Sequence, residues 1–245
     1  MNLAKGTRWL ALGLVMGVGM SATASAEFAA GFQAALTSAE RPAQDKERDA
    51  SRKPAEVLDF VGIEAGMSVL ELFAGGGWYT EVLSAAVGPE GRVHAQNPER
   101  LHERIGEAAS ERADRLGNVD VFYTADNDFG LSAQVDVAFT ALNLHDYANN
   151  GDEQGLSFLG GIYAALKPGG TLGMVDHVGI AGQDNAELHR MDANKARELL
   201  TAAGFVIEAE SDILMNADDD HTLGIRDPAI RYNTDRMLIR ARKPE

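Results

Sequence analysis

The chain has 245 residues, with 22 Lys+Arg against 37 Asp+Glu, a formal net charge of −15 and no cysteine. Apolar residues make up 45% and charged residues 24%, a globular balance that excludes whole-chain disorder. The acidity argues against a nucleic-acid partner, whose phosphates need Lys and Arg, and without cysteine there is no disulfide, thiolate nucleophile or Cys-ligated zinc.

At the N-terminus Lys5 and Arg8 precede an apolar run from Trp9 to Met20 and the ending Ala24-Ser25-Ala26. A basic start, a short apolar core and an A-x-A site predict a secretory signal peptide over residues 1–26, cleaved after Ala26. The run is shorter than the ~18–20 residues that span a bilayer. The mature protein is therefore expected to begin at Glu27, in the periplasm or outside the cell, with no membrane contact after cleavage. The missing cysteines agree with an oxidising compartment.

Residues 28–36 predict a short helix and 37–53 a charged surface arm, so 27–53 reads as an N-terminal helical extension to one domain over 54–245. Pro54 suits the first turn of a helix whose stripe is Val57, Leu58 and Val61. Strands are expected at 68–73, 92–96, 119–123, 135–140, 171–175, 205–209 and 236–241. Helices are expected at 78–87, 98–116, 153–166 and 193–203, the last with Asp192 as N-cap and Gly204 as its stop. Strands alternating with helices mean βαβ units in a doubly wound, seven-stranded, mostly parallel α/β sheet. Ligands of such sheets bind beyond the carboxyl ends of the strands, where strand order reverses.

At the end of the first strand stands Glu71-Leu-Phe-Ala-Gly75-Gly76-Gly77-Trp-Tyr-Thr80, a glycine turn opening a helix. Glycine allows positive φ and close backbone approach, and the helix presents free N–H groups to a ligand. A dinucleotide fingerprint would carry a third glycine or alanine where Thr80 stands, which disfavours a nucleotide-dependent oxidoreductase.

The pattern E-x-x-x-G-x-G-x-x-T resembles motif I of the class I S-adenosylmethionine-dependent methyltransferases. The resemblance implies their Rossmann-like fold, and S-adenosyl-L-methionine as cofactor with its methionine end cradled by Glu71, Gly75, Gly76, Gly77 and Thr80. Asn97 falls where that family usually has an acid for the ribose; an amide can donate and accept but lacks the charge of a carboxylate. Asp126 and Asn127, after the third strand, fall in the adenine region. Asn143, His145 and Asp146 fall in motif IV, beside the methyl group. Residues 166–170 resemble the turn before the fifth strand. The segments Arg52-Lys-Pro54, Leu72–Gly77, Asn143–Asp146, Val175-Asp-His177 and Asp227–Arg231 with Thr234-Asp-Arg236 are similar to a bacterial group of predicted methyltransferases, many of which carry signal peptides. The implied activity is methyl transfer to a small molecule. The alternative is an exported ligand-binding protein that keeps the fold without catalysis.

His145 and Asp146 after the fourth strand, and Asp176 and His177 after the fifth, are the candidate catalytic groups, because a His of near-neutral pKa suits general-base work. Trp78 and Tyr79 are expected to pack. The acidic run 216–221 lacks the glycine and distal Glu of a calcium loop and reads as a solvated loop, so no metal site is expected. Arg226, Arg231 and Arg236, in the long connection before the last strand, either receive an anionic substrate or pair with nearby aspartates.

Overall fold

The computed structural model describes residues 27–245; the expected signal peptide lies outside the described residues. Four short helices come first: α1 (Phe32–Thr37), α2 (Ala43–Lys46), α3 (Asp49–Arg52) and α4 (Pro54–Val61). There follow β1 (Ser68–Leu72), α5 (Trp78–Val87), β2 (Arg92–Pro98), α6 (His102–Leu116), β3 (Val119–Thr124) and β4 (Val135–Ala141). The second half is α7 (Leu144–Ala148), α8 (Asp152–Ala165), β5 (Leu166–Gly179), α9 (Asn185–Leu188), β6 (Met191–Asp192), α10 (Ala193–Ala202), β7 (Val206–Ser211) and β8 (Arg236–Arg242).

The sheet runs in the order β3-β2-β1-β4-β5-β8-β7, with the two-residue β6 pairing β5 off this path. Only β8 runs against its neighbours, antiparallel to both β5 and β7. From β1 the chain moves outward through β2 and β3, then returns to β4 on the other side of β1. The order thus reverses between β1 and β4, and the crevice at their carboxyl ends is the place where this architecture binds ligands.

Each face of the sheet has its own core. Val69, Val93, Val137 and Phe139 point to one face, under Val57, Leu58 and Val61 of α4 and Val82, Leu83 and Ala86 of α5. Leu70, Leu72, Ala138 and Met174 point to the other, under Phe158, Leu159 and Ile162 of α8 and Leu199 and Leu200 of α10. Period-2 alternation along β1 and β4 separates these sets, and full burial of one such side chain contributes roughly 1.5–3 kcal/mol. Among the described residues no helix is long and apolar enough to cross a membrane.

The structure departs from the sequence expectations where side chains find distant partners. The arm 37–53 lies at the surface, as expected, but two buried charges pin it to the domain. Arg41 and Asp45 are buried; Arg41 grips Asp49 through both terminal nitrogens, at 2.5 and 2.8 Å, and Asp45 meets Arg48 and, from α6, Arg112. The helix expected at 98–116 begins at His102, after a 3-10 turn. The expected turn at 166–170 is part of β5, because Gly169 and Gly170 exchange backbone bonds with Lys243. Helices α7 and α9 were not anticipated.

The acidic run 216–221 is partly solvated, with Asp218 and Asp220 exposed, but Asp219 is built into the interior. Asp219 is buried and accepts from the Nη2 of Arg190 at 2.9 and 3.0 Å, and from the backbone N–H groups of His221 at 3.0 Å and Asp235 at 2.7 Å. Arg190, fully buried, donates as well to the carbonyls of Val178 and Leu223. One arginine thus ties the long β7–β8 connection to the end of β5. Removing one partner of such a pair strands a charge in the interior. Asp219→Ala is therefore expected to lower stability by about 3–5 kcal/mol, measured by urea unfolding; a change below 1 kcal/mol would contradict the pair's anchoring role.

Candidate functional site

β1 ends at Leu72, and the chain turns at once through Phe73, Gly75 and Gly77, all at positive φ. The turn is held from the side by β2. Phe73 N–H donates to Gln96 Oε1 at 3.2 Å, Ala74 N–H to the Gln96 carbonyl at 3.0 Å, and Gly75 N–H to Asn97 Oδ1 at 2.8 Å. Gly77 N–H closes on the Ala74 carbonyl at 2.8 Å. The Gly76 N–H has no partner among the described residues, and a Cβ built on Gly76 would stand in open space. Beneath Gly77 lies Arg112, which would meet a Cβ there at 2.5 Å.

Asn97 is fully buried. Its Oδ1 is used by the loop, while its Nδ2 has no hydrogen-bond partner. An unpaired buried donor costs about 1–3 kcal/mol, so this amide and the Gly76 N–H are the two unused donors of the turn. Cavities open on both sides of the loop. One is lined by Glu71, Tyr79, Arg52 and Ala141, the other by Asn97, Thr80, Ile105 and Arg112, and Gly75, Gly76 and Gly77 line both.

Glu71 is buried, and the Thr80 hydroxyl donates to its Oε2 at 2.6 Å. Burial pushes its pKa up to about 7, against the opposing pull of the Thr80 bond and of Arg112 and Arg52. Trp78 and Tyr79 are buried, as expected, and Trp78 Nε1–H donates to the Asp45 carbonyl at 2.8 Å. Arg52 lies over both rings, 4.8 Å from the Trp78 and 5.5 Å from the Tyr79 centroid. The arm thus forms one wall of the site.

The other expected cofactor contacts are less open. Asp126 pairs with Arg100 at 2.7 Å. Asn127 turns its amide to Ser157 of α8 at 2.8 Å. Asn143 donates to the Ala141 carbonyl at 2.9 Å and to Thr140 and Leu72 at longer range, joining the ends of β4 and β1.

His145, Asp146, Asp176 and His177 do come together. Asp176 is fully buried and accepts from His145 N–H at 2.9 Å and His177 N–H at 2.8 Å, and it pairs with His145 Nδ1 at 2.7 Å. Burial disfavours charge on His145, but Asp176 and Asp146 outweigh it and raise its pKa to about 10. In that state His145 is a proton donor rather than a base. His177 is the opposite case: burial, with the cations of His145, Arg236 and Arg190 nearby, lowers its pKa to about 3 and keeps it neutral. Its Nδ1 meets Thr234 Oγ1 at 2.7 Å.

His189 was not foreseen. Its Nδ1 is 3.3 Å from Asp146 Oδ1, and His145 Nε2 is 3.3 Å from the same oxygen. The three groups form a set of metal-type donors, assembled across 43 residues, which no local spacing announces. Arg52 was likewise missed as a site residue. It borders a second cavity of about 250 Å³, which also holds Arg226, Arg231, Arg236, His177 and Tyr232. Among the described residues none of these four arginines forms an ion pair; Asp235, beside Arg236, pairs with His221, and Asp227, beside Arg226, accepts from Ala229 N–H.

No protein-family profile and no curated protein matches the sequence. Solved structures do match. An S-adenosylmethionine-dependent methyltransferase from Aquifex aeolicus has 24% identity and a TM-score of 0.60, over 82% of this chain and 98% of that one. The 1,6-didemethyltoxoflavin-N1-methyltransferase of Burkholderia thailandensis, with 1,6-didemethyltoxoflavin and S-adenosylhomocysteine bound, has 20% identity and a TM-score of 0.57, over 81% and 80% of the two chains. The [4+2]-cyclase SpnF has 21% identity and a TM-score of 0.58, over 80% and 81%. The chain therefore has the class I methyltransferase fold. One fold hosting a cyclase and methyltransferases means that function must be argued from the site.

Glu71 gives a pH signature. Its folded pKa is raised to about 7 from 4.5, so the folded state holds a proton that the unfolded state has lost. Stability then falls as pH rises from 4.5, and the loss is complete above pH 7. Glu71→Gln keeps the Thr80 bond and removes the buried charge. It is expected to stabilise the protein by about 3 kcal/mol at pH 8 and by little at pH 4, seen as thermal unfolding across that range; an equal effect at both ends would contradict the assignment.

Proposed function

We propose that the protein binds S-adenosyl-L-methionine in the crevice at the ends of β1 and β2 and transfers its methyl group to an anionic small molecule. The observation that carries the reading is the pair of unused donors in the glycine turn. The buried Asn97 Nδ2 lacks an acceptor, the Gly76 amide lacks a partner, and Gly76 leaves open space where any other residue would place a Cβ. A nucleoside with ribose hydroxyls and an amino-acid tail fits these donors, since hydroxyl and carboxylate oxygens accept from amide N–H.

When bound, the cofactor supplies an electrophilic methyl carbon on a sulfonium sulfur. The chain's part is to position and desolvate. Asn97 and Gly76 offer donors to the bound molecule, and Glu71, beside the loop, offers a carboxylate to a cationic group. On the acceptor side, the cavity shares Arg52 with the cofactor side, and the two are lined by successive residues of one strand end, Ala141 and Leu142. Four guanidiniums without carboxylate partners favour an anionic acceptor, and Leu142, Ile225 and Tyr232 give its body apolar contact. Neutral His177 faces this cavity as a hydrogen-bonding group. The signal-peptide pattern of residues 1–26 supports action outside the cytoplasm, as in the similar bacterial group.

Calorimetry of the protein with S-adenosylhomocysteine is expected to show one site. Gly76→Val should keep the circular dichroism spectrum and weaken binding at least tenfold; unchanged affinity would place the ligand elsewhere. For the acceptor, labelled S-adenosylmethionine and cell extract fractionated by anion exchange should give labelled product from the retained fractions. Product from the unretained fraction alone would contradict the anionic acceptor.

A further inference from the structure

We propose that His145, Asp146 and His189 form a binding site for a divalent transition-metal ion at the edge of the arginine-lined cavity. His145 Nε2 and His189 Nδ1 each stand 3.3 Å from Asp146 Oδ1, and all three donor atoms lie within 4.8 Å of one another. The 3.3 Å separation is at the long end of a hydrogen bond, as between His189 Nδ1 and Asp146 Oδ1. It matches the edge of a ligand tetrahedron, which is about 3.3–3.4 Å for metal–ligand bonds of about 2.0–2.1 Å.

The surroundings support the same reading. Behind His145, Asp176 holds the other ring nitrogen, Nδ1, at 2.7 Å. A carboxylate on the far nitrogen of a ligating histidine fixes the ring's orientation toward the ion, which takes the place of the proton on Nε2. Asp176 is itself held by two backbone N–H groups, so the orientation is set before any ion arrives. His189 follows the short helix α9 at φ 53°, a left-handed conformation uncommon outside glycine, Asn and Asp. Neighbouring backbone bonds, Arg190 N–H to the Asn185 carbonyl at 2.9 Å among them, keep it there.

Two imidazoles and one carboxylate suit zinc, cobalt(II) or iron(II) better than calcium or magnesium, which prefer all-oxygen shells. Three protein ligands leave a position open. The ring centroid of His177, a wall of the acceptor cavity, is 5.8 Å from that of His145. An ion here would polarise an oxygen or nitrogen nucleophile of the acceptor and ease loss of its proton. That role rests on the methyltransferase reading; the binding itself does not.

The test is titration of untagged, chelator-treated protein with Co²⁺, read by its visible d–d absorption, followed by competition with Zn²⁺. One Co²⁺ should bind per chain, with displacement by Zn²⁺. His189→Asn, which tolerates the left-handed backbone, and Asp146→Asn should each weaken binding by a factor on the order of 10–100 or more without changing the melting temperature of the metal-free protein. Absence of saturable Co²⁺ binding overturns the proposal, and so does binding at wild-type strength in both variants. S-adenosylhomocysteine calorimetry on the same samples separates the two readings, since binding of that ligand to protein that takes no metal would leave the methyltransferase reading standing.

Discussion

The glycine turn after β1 has its shape because the end of β2 holds it. Gln96 and Asn97 are adjacent, yet they secure three successive amides, those of Phe73, Ala74 and Gly75. Phe73 is a non-glycine residue at φ 53°, a conformation that local preference alone would not keep. Because these bonds consume the loop's inner donors, what remains unused is the Gly76 amide and the buried side-chain nitrogen of Asn97. Parallel pairing of β1 with β2 sets the register that brings Gln96 and Asn97 beside the turn. The site is therefore a consequence of strand register, and the arm, α5 and α6 add its walls.

Charge is distributed with the same economy. The protein carries many more acids than bases, so arginines without a carboxylate partner are informative where they cluster. Arg41, Arg48, Arg112, Arg115 and Arg190 are all paired, and they hold the arm, the glycine-loop helix and the β7–β8 connection in place. Of the described arginines that form no ion pair, Arg104 lies beside the glycine loop and the other four, Arg52, Arg226, Arg231 and Arg236, line one cavity. Arg52 and Arg236 are moreover pressed below their ordinary pKa, first by burial, a strain that an anionic ligand would relieve.

Much of the fold could be read from local pattern. Helix α5 occupies the expected 78–87, because Gly77 and Gly88 bracket it with backbone conformations that end a helix. Asp192 caps α10 as expected, its side chain accepting from Asn194 N–H. Local pattern failed where the partner is remote. The charged composition of 37–53 suggests solvent, but Arg112 of α6 and Trp78 of α5 convert Asp45 into a buried junction. The aspartate run 216–221 looks like a solvated loop until Arg190 is placed against Asp219. Asn97 stands where the resembled family usually has an acid, but its task of tying down Gly75 depends on a contact across 22 residues. His189 sits beside no motif, and the bonds from Asn149, just after α7, to the Asn185 and Arg190 carbonyls bring its segment next to Asp146.

The claim at the centre is that the unused donors of Asn97 and Gly76 mark a cofactor site. A crystal structure with S-adenosylhomocysteine tests it most directly. The account predicts a ribose hydroxyl oxygen within about 2.7–3.2 Å of Asn97 Nδ2, with the amino-acid portion lying over Gly76. A ligand bound away from the glycine turn, or bound there with Asn97 Nδ2 still unpaired, would contradict it.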